Sequence, residues 1–187
     1  MNNRFPFKPL ALAFFLLMTP KGVSAKPVTW FDGIHAVSLS VPRGVDPVVD
    51  VASHMFKDDI AQVTGIAAKQ TDRAQHATIR LFQLDRLSRR QQRELRDMGV
   101  PVERLQTLTD GFHICVLHGQ IVVVGTNGRG TAYGLLELSR QAGVSPWVWW
   151  GDVVPEHRSR LTLDDQFTTT QGASVEYRGI FLNDEDW

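Results

Sequence analysis

The sequence predicts an α/β lobe of α+β character, a mixed β-sheet with helices packed against it. Three observations carry that reading. Short β-branched runs alternate with stretches of helical period. Two apolar runs, 112–117 and 121–124, are separated only by His118-Gly119-Gln120, the arrangement of a β-hairpin. And 121–142 passes from strand to glycine-rich turn to helix without a break.

Residues 1–25 stand apart as a leader. Arg4 and Lys8 form a positive n-region, Leu10 to Met18 an apolar core, and Val23-Ser24-Ala25 a small-residue cleavage site. A membrane helix needs about 20 apolar residues, and this core is shorter. The expectation is a signal peptide and an exported mature chain that starts near Lys26, periplasmic or extracellular and without a membrane partner.

Ile34 to Val41 alternates loosely and stops at Pro42, as a first strand would. Asp46 followed by Pro47 opens a helix, with Asp as N-cap and Pro at the first helical position. Val48, Val51, Met55, Ile60 and Val63 supply an apolar stripe near helical spacing, and Gly65 marks the stop. Asp58 and Asp59 are expected to face solvent. His54 has no second His, Cys or acid at metal spacing, so no metal ligand is expected there.

Thr78 to Phe82 predicts the second strand. Leu87 to Met98 is a charged helix ended by Gly99, and the acids interspersed among Arg86 to Arg96 make it a solvated face. Phe112 to Leu117 and Ile121 to Val124 follow as the hairpin. Cys115, the single cysteine, lies inside the first of these runs as a small buried hydrophobe. The next helix covers 130–142, with Leu135, Leu138 and Ala142 on one side and Gly143 at its end. Leu161 to Leu163 supplies an edge strand, Thr168 to Ser174 a polar linker, and Val175 to Leu182 a new strand.

The chain carries 20 basic and 20 acidic residues, and no long basic run points to nucleic acid. The glycine turn does not carry the nucleotide motifs. Gly125 and Gly130 have the phosphate-loop spacing, but Thr131 stands where a lysine is needed. Gly128 and Gly130 begin a dinucleotide pattern, but Tyr133 occupies the third glycine position. A tight turn and close helix packing explain these glycines, and no cofactor is expected.

Three ordered motifs carry a family resemblance: Gly-Arg-Gly-Thr-Ala-Tyr-Gly at 128–134, Ser-Pro-Trp-Val-Trp-Trp-Gly-Asp-Val at 145–153, and Tyr-Arg-Gly-Ile-Phe-Leu-Asn-Asp-Glu-Asp-Trp at 177–187. In these the chain resembles glycoside hydrolase family 115, the xylan α-glucuronidases. The resemblance implies a small N-terminal α/β domain of the kind that precedes the barrel in exo-acting glycosidases, at 26–166. A linker at 167–174 follows, then the first strand of a (β/α)8 barrel at 175–187. A lone barrel strand leaves its backbone groups unpaired, so the expectation is a truncated piece of a longer enzyme.

The family's activity is inverting removal of (4-O-methyl-)glucuronic acid from xylan, with glucuronoxylan as the polysaccharide partner. Its acid and base lie in later barrel loops, so no catalytic residue is expected in this chain and no activity from it alone. The resemblance makes Asn183, Asp184, Glu185, Asp186 and Trp187 substrate-binding candidates at a strand's C-terminal end. Asp184 and Asp186, at i and i+2, would sit about 6.5–7 Å apart. That matches an inverting pair, but so does any such spacing.

Arg129 is expected to reach a carboxylate, in the barrel or on a uronic acid. Trp149 is a candidate sugar platform or interface residue. If the segment is extended, Trp147 and Trp149 point one way and Trp150 the other. An alternative reading makes the chain a non-catalytic carbohydrate-binding or interaction module built on Trp147, Trp149 and Trp150.

Overall fold

The computed structural model describes residues 27–148 and 150–179. In chain order these form β1 (Val28–Phe31), β2 (Ser38–Ser40), α1 (Pro47–Thr64), β3 (Lys69–Gln70), β4 (Ile79–Gln83), α2 (Arg89–Asp97) and α3 (Val102–Gln106), then β5 (Phe112–Leu117), β6 (Gln120–Gly125), α4 (Gly128–Ala142), β7 (Leu161–Leu163) and β8 (Thr168–Gln171). The main sheet has six strands in the order β3-β2-β4-β6-β5-β8. β3, β2, β4 and β6 run parallel, whereas β5 is antiparallel to both β6 and β8. This is the mixed sheet with packed helices that the sequence predicts.

β6 shows why the sheet is covered on both faces. Ile121 and Val123 enter one core with Val49, Phe56, Ile60, Leu135 and Leu138, which places α1 and α4 on that face. Val122 and Val124 enter a second core with Leu95, Val102 and Leu105, which places α2 and α3 on the other. Successive strand residues point to opposite faces, so a continuous β-branched run is what a strand between two helix layers needs. Cys115 lies in the second core, and burial pushes its thiol up to about 11. β1 and β7 pair as a separate antiparallel ribbon whose Trp30, Phe31, Leu161 and Leu163 join the first core.

Four expectations need correction. The strand expected at 34–41 is only Ser38–Ser40 and is second in the chain, after Val28–Phe31, because Asp32 Oδ1 accepts from the backbone of Ile34 and His35 and turns the chain there. The expected stripe of α1 holds at Ile60 and Val63, which are buried, but its first half is phased one residue later. Val49, Ala52 and Phe56 are buried, whereas Val48 and Val51 face outward. Asp59 is buried with them, not solvated. Thr168 to Ser174 is not simply a linker, since Thr168–Gln171 pairs with β5 as the edge strand β8.

The local signals hold where backbone geometry alone decides. Asp46 sits at the N-cap with extended backbone, although its side chain makes no cap. Its carboxylate instead accepts from Gln83 Nε2 at 2.8 Å and from Arg86. Ser88 and Gln91 form a full capping box at α2. His118 and Gly119 have φ of 51° and 78°, as a tight hairpin turn requires. Gly143 ends α4 in the left-handed region, with φ of 109°.

Candidate functional site

The start of α4 is pressed onto the sheet, and its glycines are there to permit that. Gly125, Gly128 and Gly130 are not among the glycines with positive φ, so the turn does not need their conformational freedom. It needs their missing side chains. A Cβ on Gly128 would lie 2.5 Å from Asp46 Oδ2, one on Gly130 would strike the Gly111 carbonyl, and one on Gly134 would lie 2.6 Å from Val123 Cγ1. Asn127 caps the helix, its side-chain oxygen accepting from Gly130 N at 2.8 Å. The glycines are filled against protein, not against a phosphate.

The same close approach assembles a charged cluster. Asp110, just before β5, has φ of 45° and a buried carboxylate. Its Oδ1 accepts from Asn127 Nδ2 at 2.8 Å and lies 3.2 Å from Arg129 Nε, while Oδ2 accepts from Arg178. The Arg178 guanidinium also lies over the Tyr133 ring, 5.3 Å from its centroid. Burial alone would raise the Asp110 pKa. Asn127, Arg178 and Arg129 together outweigh it and hold the carboxyl below its ordinary value.

The carboxylate that Arg129 meets here is Asp110 of this lobe, not one in a barrel or on a uronic acid. Its side chain remains 61 % exposed, which leaves part of the guanidinium fork facing solvent. Sequence reasoning missed Asp110 and Arg178. The signal for Asp110 was the Asp-Gly pair preceding an apolar strand. For Arg178 the only signal was its place in the 177–187 motif, since its partner lies far away in the chain.

Tyr133 links this cluster to a groove of about 360 Å³, whose walls include Met55, Phe112, Val144, Pro146 and Val148. Asp59 lines it. Burial raises the Asp59 pKa, and neighbouring Asp58 raises it further. Glu137, also on the rim, is held below its usual value first by its hydrogen bonds from Arg140. Volume, apolar walls and one buried acid are what a small ligand or an inserted side chain would use.

Beside the groove, the aromatic segment is not extended. Trp150 N and Gly151 N both donate to the Trp147 carbonyl, so the chain turns and strand alternation does not apply. Trp147 and Trp150 are 66 % and 61 % exposed. Val148 between them packs against the first core. Asp152, Glu156 and His157 are exposed.

Trp149 and residues 183–187, namely Asn183, Asp184, Glu185, Asp186 and Trp187, lie outside the described residues. Of the strand expected at 175–182, residues 175–179 carry none and 180–182 lie outside the described residues. His54 is exposed, with Nδ1 2.8 Å from the Asp50 carbonyl. Among the described residues, no three His, Cys, Asp or Glu side chains converge as a metal site would require.

The fold is shared with solved glycosidase structures. It aligns over 81 % of this chain with 24 % of a Streptomyces plicatus beta-hexosaminidase, at 14 % identity and a TM-score of 0.50. That likeness shows architecture alone. A second solved structure is much nearer: a family GH115 4-O-methyl-alpha-glucuronidase with specificity for decorated arabinogalactans, 34 % identical over 81 % of this chain, with a TM-score of 0.71. Over this stretch the chain is similar to part of that glycoside hydrolase family 115 enzyme. It spans 19 % of that enzyme's length. No family model matches the chain, and no curated protein does.

Proposed function

We propose that this chain is the non-catalytic N-terminal lobe of an exported glycoside hydrolase that removes (4-O-methyl-)glucuronic acid from xylan with inversion. Its leader is the segment 1–25. The observation that carries the reading is the 34 % identity to a family 115 enzyme, held over 81 % of the chain. In this reading the lobe is a rigid platform. Asp110 fixes Arg178 and orients Arg129, and the exposed Trp147 and Trp150 face the catalytic domain. Aromatics and arginine are the residues that interface centres favour.

Arg129, Trp149 and residues 183–187 would then stand where lobe, barrel and substrate meet. The lobe alone supplies no acid–base pair for the inverting step, which needs one carboxylic acid on the leaving oxygen and one carboxylate on water. The purified chain, incubated with glucuronoxylan, is expected to release no uronic acid. Release of uronic acid would overturn the reading.

A second reading is favoured by the exposure of Trp147 and Trp150: a carbohydrate-binding module with Trp147, Trp149 and Trp150 as its platform. Titration with neutral xylo-oligosaccharides, followed by tryptophan fluorescence, separates the two. Saturable quenching that Trp149→Ala abolishes favours the module; a flat titration favours the lobe.

A further inference from the structure

On the face of the sheet opposite α1 and α4, helix α2 carries an unusual charge arrangement. Between residues 86 and 96 there are five cations, Arg86, Arg89, Arg90, Arg93 and Arg96, and all are arginine. Of the nearby acids, Asp97, at i+4 from Arg93, makes no ion pair among the described residues; the others are committed. Asp46 takes Arg86, Glu94 takes Arg90 at 3.0 Å, Glu103 takes Arg96, and Asp85 accepts from Gln83 at 2.9 Å. Arg89 and Arg93 make no ion pair among the described residues.

Those two arginines are one helical turn apart, and with Gln92 and Arg96 they wall a surface recess. Two local rules are broken there. Like charges at i and i+4 repel. Arg89 and Arg90 also occupy the first turn of α2, which holds no acid, although that end of a helix favours negative charge. An anion in the recess would relieve both. Local rules are broken most often where a site is built.

We infer that the Arg89–Arg93–Arg96 face of α2 is an ancillary site for a polysaccharide bearing spaced uronic carboxylates. The inference rests on the glycosidase reading for its ligand class and on α2 for its location. Arginine's planar fork matches a carboxylate bidentately, which a lysine does not. α2 contains no aromatic residue, so it offers no stacking platform for nucleobases. The chain's formal net charge is zero, so attraction would come from this face and not from an overall basic field.

The full chain is titrated by isothermal calorimetry with three probes: 4-O-methylglucuronoxylan, the same polymer after its carboxyls are reduced to alcohols, and inorganic polyphosphate. The acidic xylan is expected to bind, weakening with added salt, and the reduced polymer is not. The double variant Arg89→Gln/Arg93→Gln should weaken binding about tenfold or more. The charge-matched Arg43→Gln/Arg73→Gln, which changes two exposed arginines elsewhere, should leave it unchanged.

No binding of the acidic xylan overturns the inference. So does equal binding of the reduced polymer, equal loss in the control variant, or polyphosphate binding as tight as the acidic xylan. Melting curves of both variants confirm that they fold. No turnover is read here, so a negative result leaves the proposed role of the lobe standing, and release of uronic acid in the earlier assay would leave this site standing.

Discussion

Asp110→Asn tests the cluster most directly. The carboxylate is buried, with 1 % of its side chain exposed. The amide keeps the shape but loses the charge, and it presents an NH2 group to donors. Arg129 is 61 % exposed, so its loss costs no more than about 0.5 kcal/mol. Arg178, at 30 %, sits between surface and interior, and its charge-assisted bond contributes about 1.5 kcal/mol. Asn127 donates to the same carboxylate while its oxygen caps α4. An amide facing an amide there costs about another 1 kcal/mol.

The sum is a destabilisation of about 3 kcal/mol, which in a domain of this size lowers the melting temperature by about 6–12 °C. Thermal unfolding followed by circular dichroism measures it. Limited trypsin digestion supplies a local readout, because cleavage after Arg178 should accelerate once the guanidinium is released. The pH dependence has a definite sign. The Asp110 pKa is lowered in the folded state, so its stabilisation is present above the unfolded value and is lost as pH falls below about 3.8. Asp110→Asn should lack that component of acid sensitivity. A variant that melts with the parent and is cleaved at the parent's rate would refute the argument.

Two further outcomes follow from neighbouring residues. The Asp59 pKa is raised in the folded state, so its favourable contribution is present below about 3.8 and lost as pH rises. Asp59→Asn should therefore be more stable than the parent by about 1 kcal/mol at pH 7, with the gap closing toward pH 4; melts at both values check this, and a gap that widens toward pH 4 contradicts it. Gly134→Ala gains about 1 kcal/mol of helix propensity, but the new methyl would sit 2.6 Å from Val123 Cγ1 and 3.2 Å from Phe112 Cβ. Overpacking costs about 1–3 kcal/mol, so urea titration should show a net loss, and a stabilised variant would mean the helix does not lie that close.

Much of the fold is legible because short-range chemistry specifies it. The hairpin of β5 and β6 follows from two apolar runs around His118 and Gly119, and α4 ends at Gly143 as its sequence dictates. What sequence does not contain is the phase or purpose of residues whose neighbours are distant. The Val-Val-Asp-Val opening of α1 permits either of two apolar stripes, and the choice of Val49 over Val48 is made by the sheet beneath it. β8 is Thr-Thr-Thr-Gln, an edge strand whose signal is β propensity without alternation. α3 has five residues, too few for a period to show. The glycines of 125–134 were visible as a motif, yet their reason is tertiary: room for Asp46, Gly111 and Val123. Arg129 was expected to meet a carboxylate in the barrel or on a uronic acid; its partner in this lobe, Asp110, could be found only in three dimensions.

The placement of β6 has a consequence for how the lobe comes apart. Both layers of helices grip the same strand, one through Ile121 and Val123 and the other through Val122 and Val124. Neither layer can peel away without stripping that ribbon bare on one side. Deuterium should thus reach the amides of Val122 to Val124 only when the whole lobe opens, while the β8 margin trades its protons early.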